Sequence, residues 1–514
     1  MGSKLDIPNG VMLNAYPDSL GGNLANINRV LKREELKGVF SSFYILPTLF
    51  ESDLDRGFSV KSYNLNEDIV EPEDLEELKS MDINLKLDFV LNHLSVQSPQ
   101  FRDILEKGDK SQYVDLFLDW NKFWDGNGEL GSEGYIIPHE KYLSKLFMRK
   151  PGFPILKVPF PDGSFRFYWN TFYQSVIEPT LEGEKTKYLG QMDLNAKSPG
   201  VWEFYEDTFK KLSNYGAKIV RLDAFAYLHK EIGYSNFFNE PGTWDYLSRI
   251  KEIADRYNLV LLPEIHSKYE DKLHLKLAEK GYPIYDFFFP GLVIDMIESK
   301  NSEHLLSWVD EIVTEGLTTF NMLGCHDGIP LLDVKGLLND QRIDQLMSIV
   351  KERGGRVKDL FGPDGKKISY YQINATFFSA LGEEENKLLL ARAIQIFMPG
   401  TPIVWYLDLF AGKNDIWAAD NIGHKDINRT NLTTREIEDK LQDRVVLEQL
   451  RILNFRNTNR AFKNSPLLDV ETSNVKRPIF KWSNGEFKAK LTIDLEENSF
   501  VIESKEPNKD WVLF

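Results

Sequence analysis

Arg221 and Asp223 stand one residue apart at the end of an apolar run, Ile219-Val220-Arg221-Leu222-Asp223. Side chains two apart on a strand share a face, so both charges leave one strand end in the same direction. The pattern recurs: Asp88 and His93 close NLKLDFVLNH, Glu264 and His266 close LVLLPEIH, and His326 with Asp327 closes TTFNMLGCHD. One polar strand end is ordinarily a capped or ion-paired terminus. Four strands delivering Asp, Arg, Glu and His to one rim point to a reaction site. Two carboxylates about 5 Å apart suit retaining glycosyl transfer, in which one attacks the anomeric carbon and the other protonates the leaving oxygen. Asp223 and Glu264 are the expected pair. Arg221 would keep Asp223 ionised for attack. Glu264 follows Leu261-Leu262-Pro263, an apolar setting expected to favour the protonated form a general acid needs. Asp327 would stabilise the distorted ring, and His93 and His326 would hydrogen-bond sugar hydroxyls.

Such a rim needs strands that end together. Eight nearly continuous apolar runs alternate with helical patterns: 11–17, 38–47, 84–93, the run into Asp223, 259–266, 283–290, 318–327 and 401–410. Parallel strands covered on both faces read this way. Eight such units predict an α/β fold of the (β/α)8 TIM-barrel type, whose sites sit at the C-terminal strand ends. No glycine-rich phosphate turn follows an early strand, which argues against a doubly wound sheet. The alternation breaks at 94–190 and 328–387, each after a strand end, where barrel loops grow into active-site walls. The barrel is therefore expected to comprise 1–93, 191–327 and 388–464. RPIFKW, FKAKLTIDL and SFVIES alternate with period two, so 465–514 is expected to be a C-terminal antiparallel β-domain.

Composition narrows the partners. A net charge of −16 with no basic patch excludes nucleic acid as an expected partner. No run approaches the roughly 20 apolar residues that span a bilayer, so no membrane partner is expected. The start, MGSKLDIPNGVML, lacks a secretory pattern, and the single cysteine, Cys325, forms no internal disulfide. A cytoplasmic protein is the expectation. Aromatics reach 13%, which suits both core filling and stacking on sugar faces. No metal motif and no nucleotide loop occur in the sequence, and no cofactor is expected.

DFVLNH, RLDAFAY, LLPEIH and CHD resemble, in order, the four signature regions of the α-amylase superfamily. YPDSLGGNL, DRGF, YQINATFFSALG, LFAGKND and DINR look like its sucrose phosphorylase subfamily, and the resemblance runs over essentially the whole chain. It implies a barrel with inserted B and B′ domains and a C-terminal β-domain. It also implies Asp223 as nucleophile, Glu264 as acid/base and Asp327 as transition-state stabiliser. Asp55, His93, Arg221, His326 and Arg429 would hold the glucosyl unit. Phe58 and Phe172 would form an aromatic platform, Tyr227 would line the pocket, and Tyr371 and Gln372 would face the acceptor. Arg149 and Lys150 stand where the family carries a phosphate-contacting arginine. The resemblance implies an α-glucoside and inorganic phosphate as partners, α-glucose 1-phosphate as product, and a homodimer.

Departures bear on the leaving group. Sucrose phosphorylases typically follow DINR with His-Tyr-Tyr, where this chain has Thr430-Asn431-Leu432. They typically carry an aspartate where this chain has Ser369. The stretch 173–190 also lengthens the first insertion. Intact glucose-side residues with an altered leaving-group side resemble the glucosylglycerol phosphorylases of the subfamily most. Sucrose, sucrose 6′-phosphate and glucosylglycerate remain alternatives. A hydrolase or transglucosidase would share the three carboxylates. A non-catalytic sugar-binding homologue usually lacks them.

Overall fold

The computed structural model describes residues 7–147, 152–172, 174–180, 183–361, 367–463 and 466–514; over 174–180, 183–189, 358–361 and 367–371 it describes the backbone alone. The eight apolar runs form strands β1 (Met12–Ala15), β2 (Ser42–Ile45), β3 (Asn84–Val90), β4 (Ala217–Asp223), β5 (Val260–Pro263), β6 (Ile284–Asp286), β7 (Thr319–Met322) and β8 (Thr401–Trp405). They make one parallel sheet in the order β5-β4-β3-β2-β1-β8-β7-β6. Among the described residues no ladder joins β5 to β6, so the TIM barrel is nearly closed.

Several strands are shorter than their apolar runs. Phe289 and Pro290 open the helix Phe289–Ser299, and Tyr406–Leu409 is a helical turn. An unbroken apolar run cannot by itself separate a buried strand from the first turn of a buried helix.

The pairing of β3 with β4 sets the site. Ala217 faces Leu85 and Ile219 faces Lys86, so Lys218 is an extra residue in β4. Beyond this bulge Arg221 lies opposite Asp88. Without it Val220 would take that place, and a one-residue slip turns every side chain to the other face.

After β3 the chain forms short hairpins, including Ile155–Pro159 with Phe165–Trp169, around a separate apolar cluster of Leu118, Trp120, Trp124, Leu146, Phe167 and Trp169. It returns through Gln191–Asp193, which pairs antiparallel with His93–Ser95 at the barrel mouth. After β7 a three-stranded antiparallel sheet (Ile329–Pro330, Lys367–Asn374, Arg356–Phe361) rises over the same mouth. A five-stranded antiparallel sheet from Leu467 to Leu513 completes the fold, tied to the helix Glu385–Phe397 by Trp482 Nε1, which donates to Phe397 O at 2.8 Å. No helix among the described residues is long and apolar enough to cross a membrane.

A tight turn carries Asp55 and Phe58 to the mouth. Asp55, Arg56 and Gly57 have φ of 49°, 50° and 102°, a left-handed run that costs energy for the two non-glycine residues. A Cβ on Gly57 would lie 2.3 Å from Thr48 N and 2.4 Å from Pro47 C. Gly57→Ala is therefore expected to lose about 2 kcal/mol or more of stability in urea unfolding and to weaken glucosyl binding. Unchanged stability and KM would show that this turn is not under the constraint described.

Candidate active site

The C-terminal strand ends enclose a cavity of about 500 Å³. Its walls include Asp55, Phe58, His93, Phe172, Asp223, Tyr227, Glu264, His326, Asp327 and Gln372. Arg221 lies beneath them, 3% exposed, and connects the carboxylates. Its Nη1 donates to Asp88 Oδ1 at 2.5 Å and to Asp223 Oδ1 at 2.9 Å, and its Nη2 lies 2.7 Å from Glu264 Oε1. Asp223 ends β4, and the next residue, Ala224, is left-handed at φ 54°, which turns the chain away at once.

A second charged group faces the first. Asp327 Oδ1 lies 2.5 Å from Lys425 Nζ and 3.6 Å from Arg429 Nη2, while Oδ2 lies 3.2 Å from His326 Nε2. Arg429 Nε also donates to His326 O at 2.8 Å. Gln372 and Asn374 donate to Asp327 O at 2.6 and 2.9 Å. Phe58 stacks on His326 with ring centroids 5.0 Å apart.

Burial pushes Asp223 up to about 8, with Arg221 opposing. Burial acts to raise Glu264 too, but Arg221 and His266 outweigh it and hold Glu264 at about 2. Burial thus dominates at Asp223 and neighbouring cations at Glu264, so the apolar run before Glu264 does not by itself set the state of that acid. Glu264 meets Nη2 of Arg221 at 2.7 Å and His266 Nε2 at 3.6 Å, whereas Asp223 shares Nη1 of Arg221 with Asp88. Burial also opposes the charge on Asp327, yet His326, Lys425 and Arg429 keep it well below the usual carboxylate range. Burial lowers His93 to about 4, so it is a neutral hydrogen-bonding group near pH 7. His266 behaves oppositely: Asp333 and Glu264 overcome burial and raise it to about 10.

Carboxylates, a fixed arginine and stacking rings around a glucose-sized cavity suit glycosyl transfer. No protein-family model matches the sequence. The sucrose 6(F)-phosphate phosphorylase of Ilumatobacter coccineus is 56% identical over 510 residues, covering 98% of this chain and 97% of that protein. The crystal structure of sucrose 6F-phosphate phosphorylase from Thermoanaerobacter thermosaccharolyticum matches with a TM-score of 0.88 and 34% identity, covering 99% of this chain and 98% of that one. The glucosylglycerol phosphorylase of Marinobacter adhaerens is 30% identical over 494 residues, 95% of each chain.

The chain belongs to the sucrose phosphorylase family. It is a glycoside phosphorylase of the α-amylase superfamily, with the barrel, mouth insertions and C-terminal sheet of that fold. Of the residues singled out from the sequence, Arg221 and Arg429 act from behind the cavity wall. Arg149 and Lys150 lie outside the described residues, as does the side chain of Tyr371.

The segment 430–432, expected to read the leaving group, is engaged elsewhere. Asn431 donates to Asp18 at 2.8 Å and accepts from Arg56 at 3.1 Å, bracing the Asp55 turn. Leu432 N donates to Ser19 O at 2.8 Å, and none of the three residues lines the cavity.

Sequence reasoning missed Lys425 and Asp333. Lys425 directly precedes the DINR motif, a usable signal. Asp333 ends the otherwise apolar Ile329-Pro330-Leu331-Leu332, where a lone buried acid needs a partner; it is 2% exposed and pairs with His266 Nδ1 at 3.3 Å.

That pair has a pH signature. The folded pKa of His266 lies above its unfolded value, so its stabilising contribution is complete below about pH 6.5 and is lost as pH rises through about 10. In urea unfolding, wild type and His266→Gln should differ most near pH 6 and least near pH 10. A difference that stays flat across this range would rule out the Asp333 pairing as its source.

Proposed function

We propose that the protein is a retaining phosphorylase of sucrose 6′-phosphate, converting it and inorganic phosphate into α-glucose 1-phosphate and fructose 6-phosphate. The observation that carries this reading is the 56% identity to the Ilumatobacter coccineus sucrose 6(F)-phosphate phosphorylase across nearly the full length of both chains. It displaces the expectation of glucosylglycerol as donor, because the Marinobacter adhaerens glucosylglycerol phosphorylase stands at 30%. Ser369 in place of an aspartate fits a phosphorylated fructose equally well. Lys268 and the cationic His266 line the cavity and would favour a dianionic substrate.

In this reading Asp223 attacks the anomeric carbon and the glycosidic C–O bond breaks. Glu264 gives its proton to the leaving oxygen, and a β-glucosyl ester of Asp223 remains. The step needs Asp223 ionised and Glu264 protonated. The glycosidic oxygen accepts from the acid form of Glu264, and the positive charge developing at the anomeric carbon favours the anion of Asp223. Asp327, held as an anion by His326, Lys425 and Arg429, would stabilise the oxocarbenium-like transition state. Asp55 and His93 would take sugar hydroxyls, with Phe58 and Phe172 as the platform. Fructose 6-phosphate then leaves, a phosphate oxygen attacks the anomeric carbon and gives its proton to Glu264, and the bond to Asp223 breaks to release the α-product with retention. Arg149 and Lys150 would meet that phosphate, and the segments 94–190 and 328–387 would exclude water from the ester.

The reverse reaction tests the assignment. With α-glucose 1-phosphate as donor, fructose 6-phosphate is expected to exceed fructose, glycerol and glycerate as acceptor by about 10-fold or more in kcat/KM, measured by phosphate release. A better rate with glycerol or fructose would refute the substrate reading. Equal glucose release with and without phosphate would refute phosphorolysis. Asp223→Asn should lose about 10³-fold or more in turnover.

A further inference from the structure

Lys230 is buried, and its ammonium sits among three oxygens: Asp193 Oδ2 at 2.8 Å, Asn92 Oδ1 at 3.0 Å and the Tyr227 carbonyl at 2.6 Å. An ammonium has three N–H donors, so each is used once. The three oxygens come from three parts of the chain. Asn92 follows β3 and immediately precedes His93. Tyr227 stands in the turn after β4. Asp193 ends the strand returning from the first insertion, directly opposite His93 in the antiparallel pairing.

Asp193 passes the connection on. Its Oδ1 accepts from Thr171 N at 2.8 Å and its Oδ2 from Thr171 Oγ1 at 2.7 Å. The next residue is Phe172, whose ring lies 4.8 Å from that of His93 and 5.2 Å from that of Tyr227. His93, Phe172 and Tyr227 all line the cavity, whereas Lys230, Asp193 and Asn92 do not. The charged pair therefore reaches the cavity only through its neighbours. A buried ion pair is weak as a source of stability, since apolar residues of similar volume usually pack as well, and its best-attested use is to specify one arrangement. Here the arrangement it specifies is three rings from three separate segments.

We propose that Lys230 is the positioning residue for the ring wall of the cavity, a fixed internal cation around which His93, Phe172 and Tyr227 are assembled. The proposal rests on the reading that these rings surround the glucosyl unit. It predicts that loss of the network weakens glucosyl binding in ground state and transition state alike, so KM changes and kcat does not.

The experiment follows exchange of labelled inorganic phosphate into α-glucose 1-phosphate, which needs no knowledge of the leaving group. Lys230→Met combined with Asp193→Asn removes both charges at nearly constant volume. Thr171→Val removes the hydroxyl bond to Asp193 at a residue that itself lines the cavity, so its effect is read beside that of the double variant, whose residues do not. Both are expected to raise KM for α-glucose 1-phosphate about 10-fold, with kcat within about 3-fold of wild type, while Thr171→Ser stays within about 2-fold in both. Should the double variant not fold, Thr171→Val against Thr171→Ser carries the test. A lower melting temperature with unchanged KM in Thr171→Val would overturn the proposal, leaving the network a structural role alone. Phe172→Ala separates the two levels. If it leaves KM unchanged, the glucosyl reading of the cavity fails. If it raises KM while Thr171→Val does not, only the role given to Lys230 fails.

Discussion

One guanidinium organises the site. Arg221 holds Asp88, Asp223 and Glu264 together inside a barrel where a lone charge would be very costly. The arrangement depends on backbone register: an extra residue in β4 brings Arg221 rather than Val220 opposite Asp88. Tyr44 completes it from β2, donating to Asp88 Oδ1 at 3.1 Å. Four neighbouring strand ends are thereby tied at the depth where a glycosidic bond would lie. The guanidinium divides its two ends unequally, with Nη1 shared by Asp88 and Asp223 and Nη2 beside Glu264.

Across the cavity the balance is reversed. There one carboxylate, Asp327, is surrounded by His326, Lys425 and Arg429. The floor is thus one cation serving three anions, and the opposite wall is one anion among several cationic or hydrogen-bonding groups. A positively charged transition state between the two meets permanently oriented charges that need no reorganisation. The strained turn at Asp55–Gly57 and the left-handed Ala224 are the backbone cost of pointing these groups inward.

Much of this was legible in the sequence, for a reason visible in particular residues. Charged residues cannot end apolar strands without a partner or a purpose, so Asp88, Arg221, Asp223, Glu264, His326 and Asp327 stood out by type and position alone. Lys230, Asp193, Asp333 and Lys425 did not. Each lies in a turn, a short strand or a loop, where a charge is unremarkable until its burial is known. The segment 430–432 misled in the opposite way: a change of residue type beside a motif looked like a change of specificity, yet Asn431 braces Asp18 and Arg56.

The sequence by itself determined the barrel, because eight apolar runs separated by helical patterns can bury both faces of a parallel sheet in few other ways. It also determined which residue types meet at the mouth, since every strand of such a barrel ends on the same side. Only the tertiary structure decided how those charges are shared. Arg221 lies between Asp223 and Glu264, its Nη1 shared by Asp88 and Asp223 and its Nη2 beside Glu264. That is a matter of distances of 2.5–2.9 Å between residues up to 133 positions apart in the chain, which local patterning does not encode.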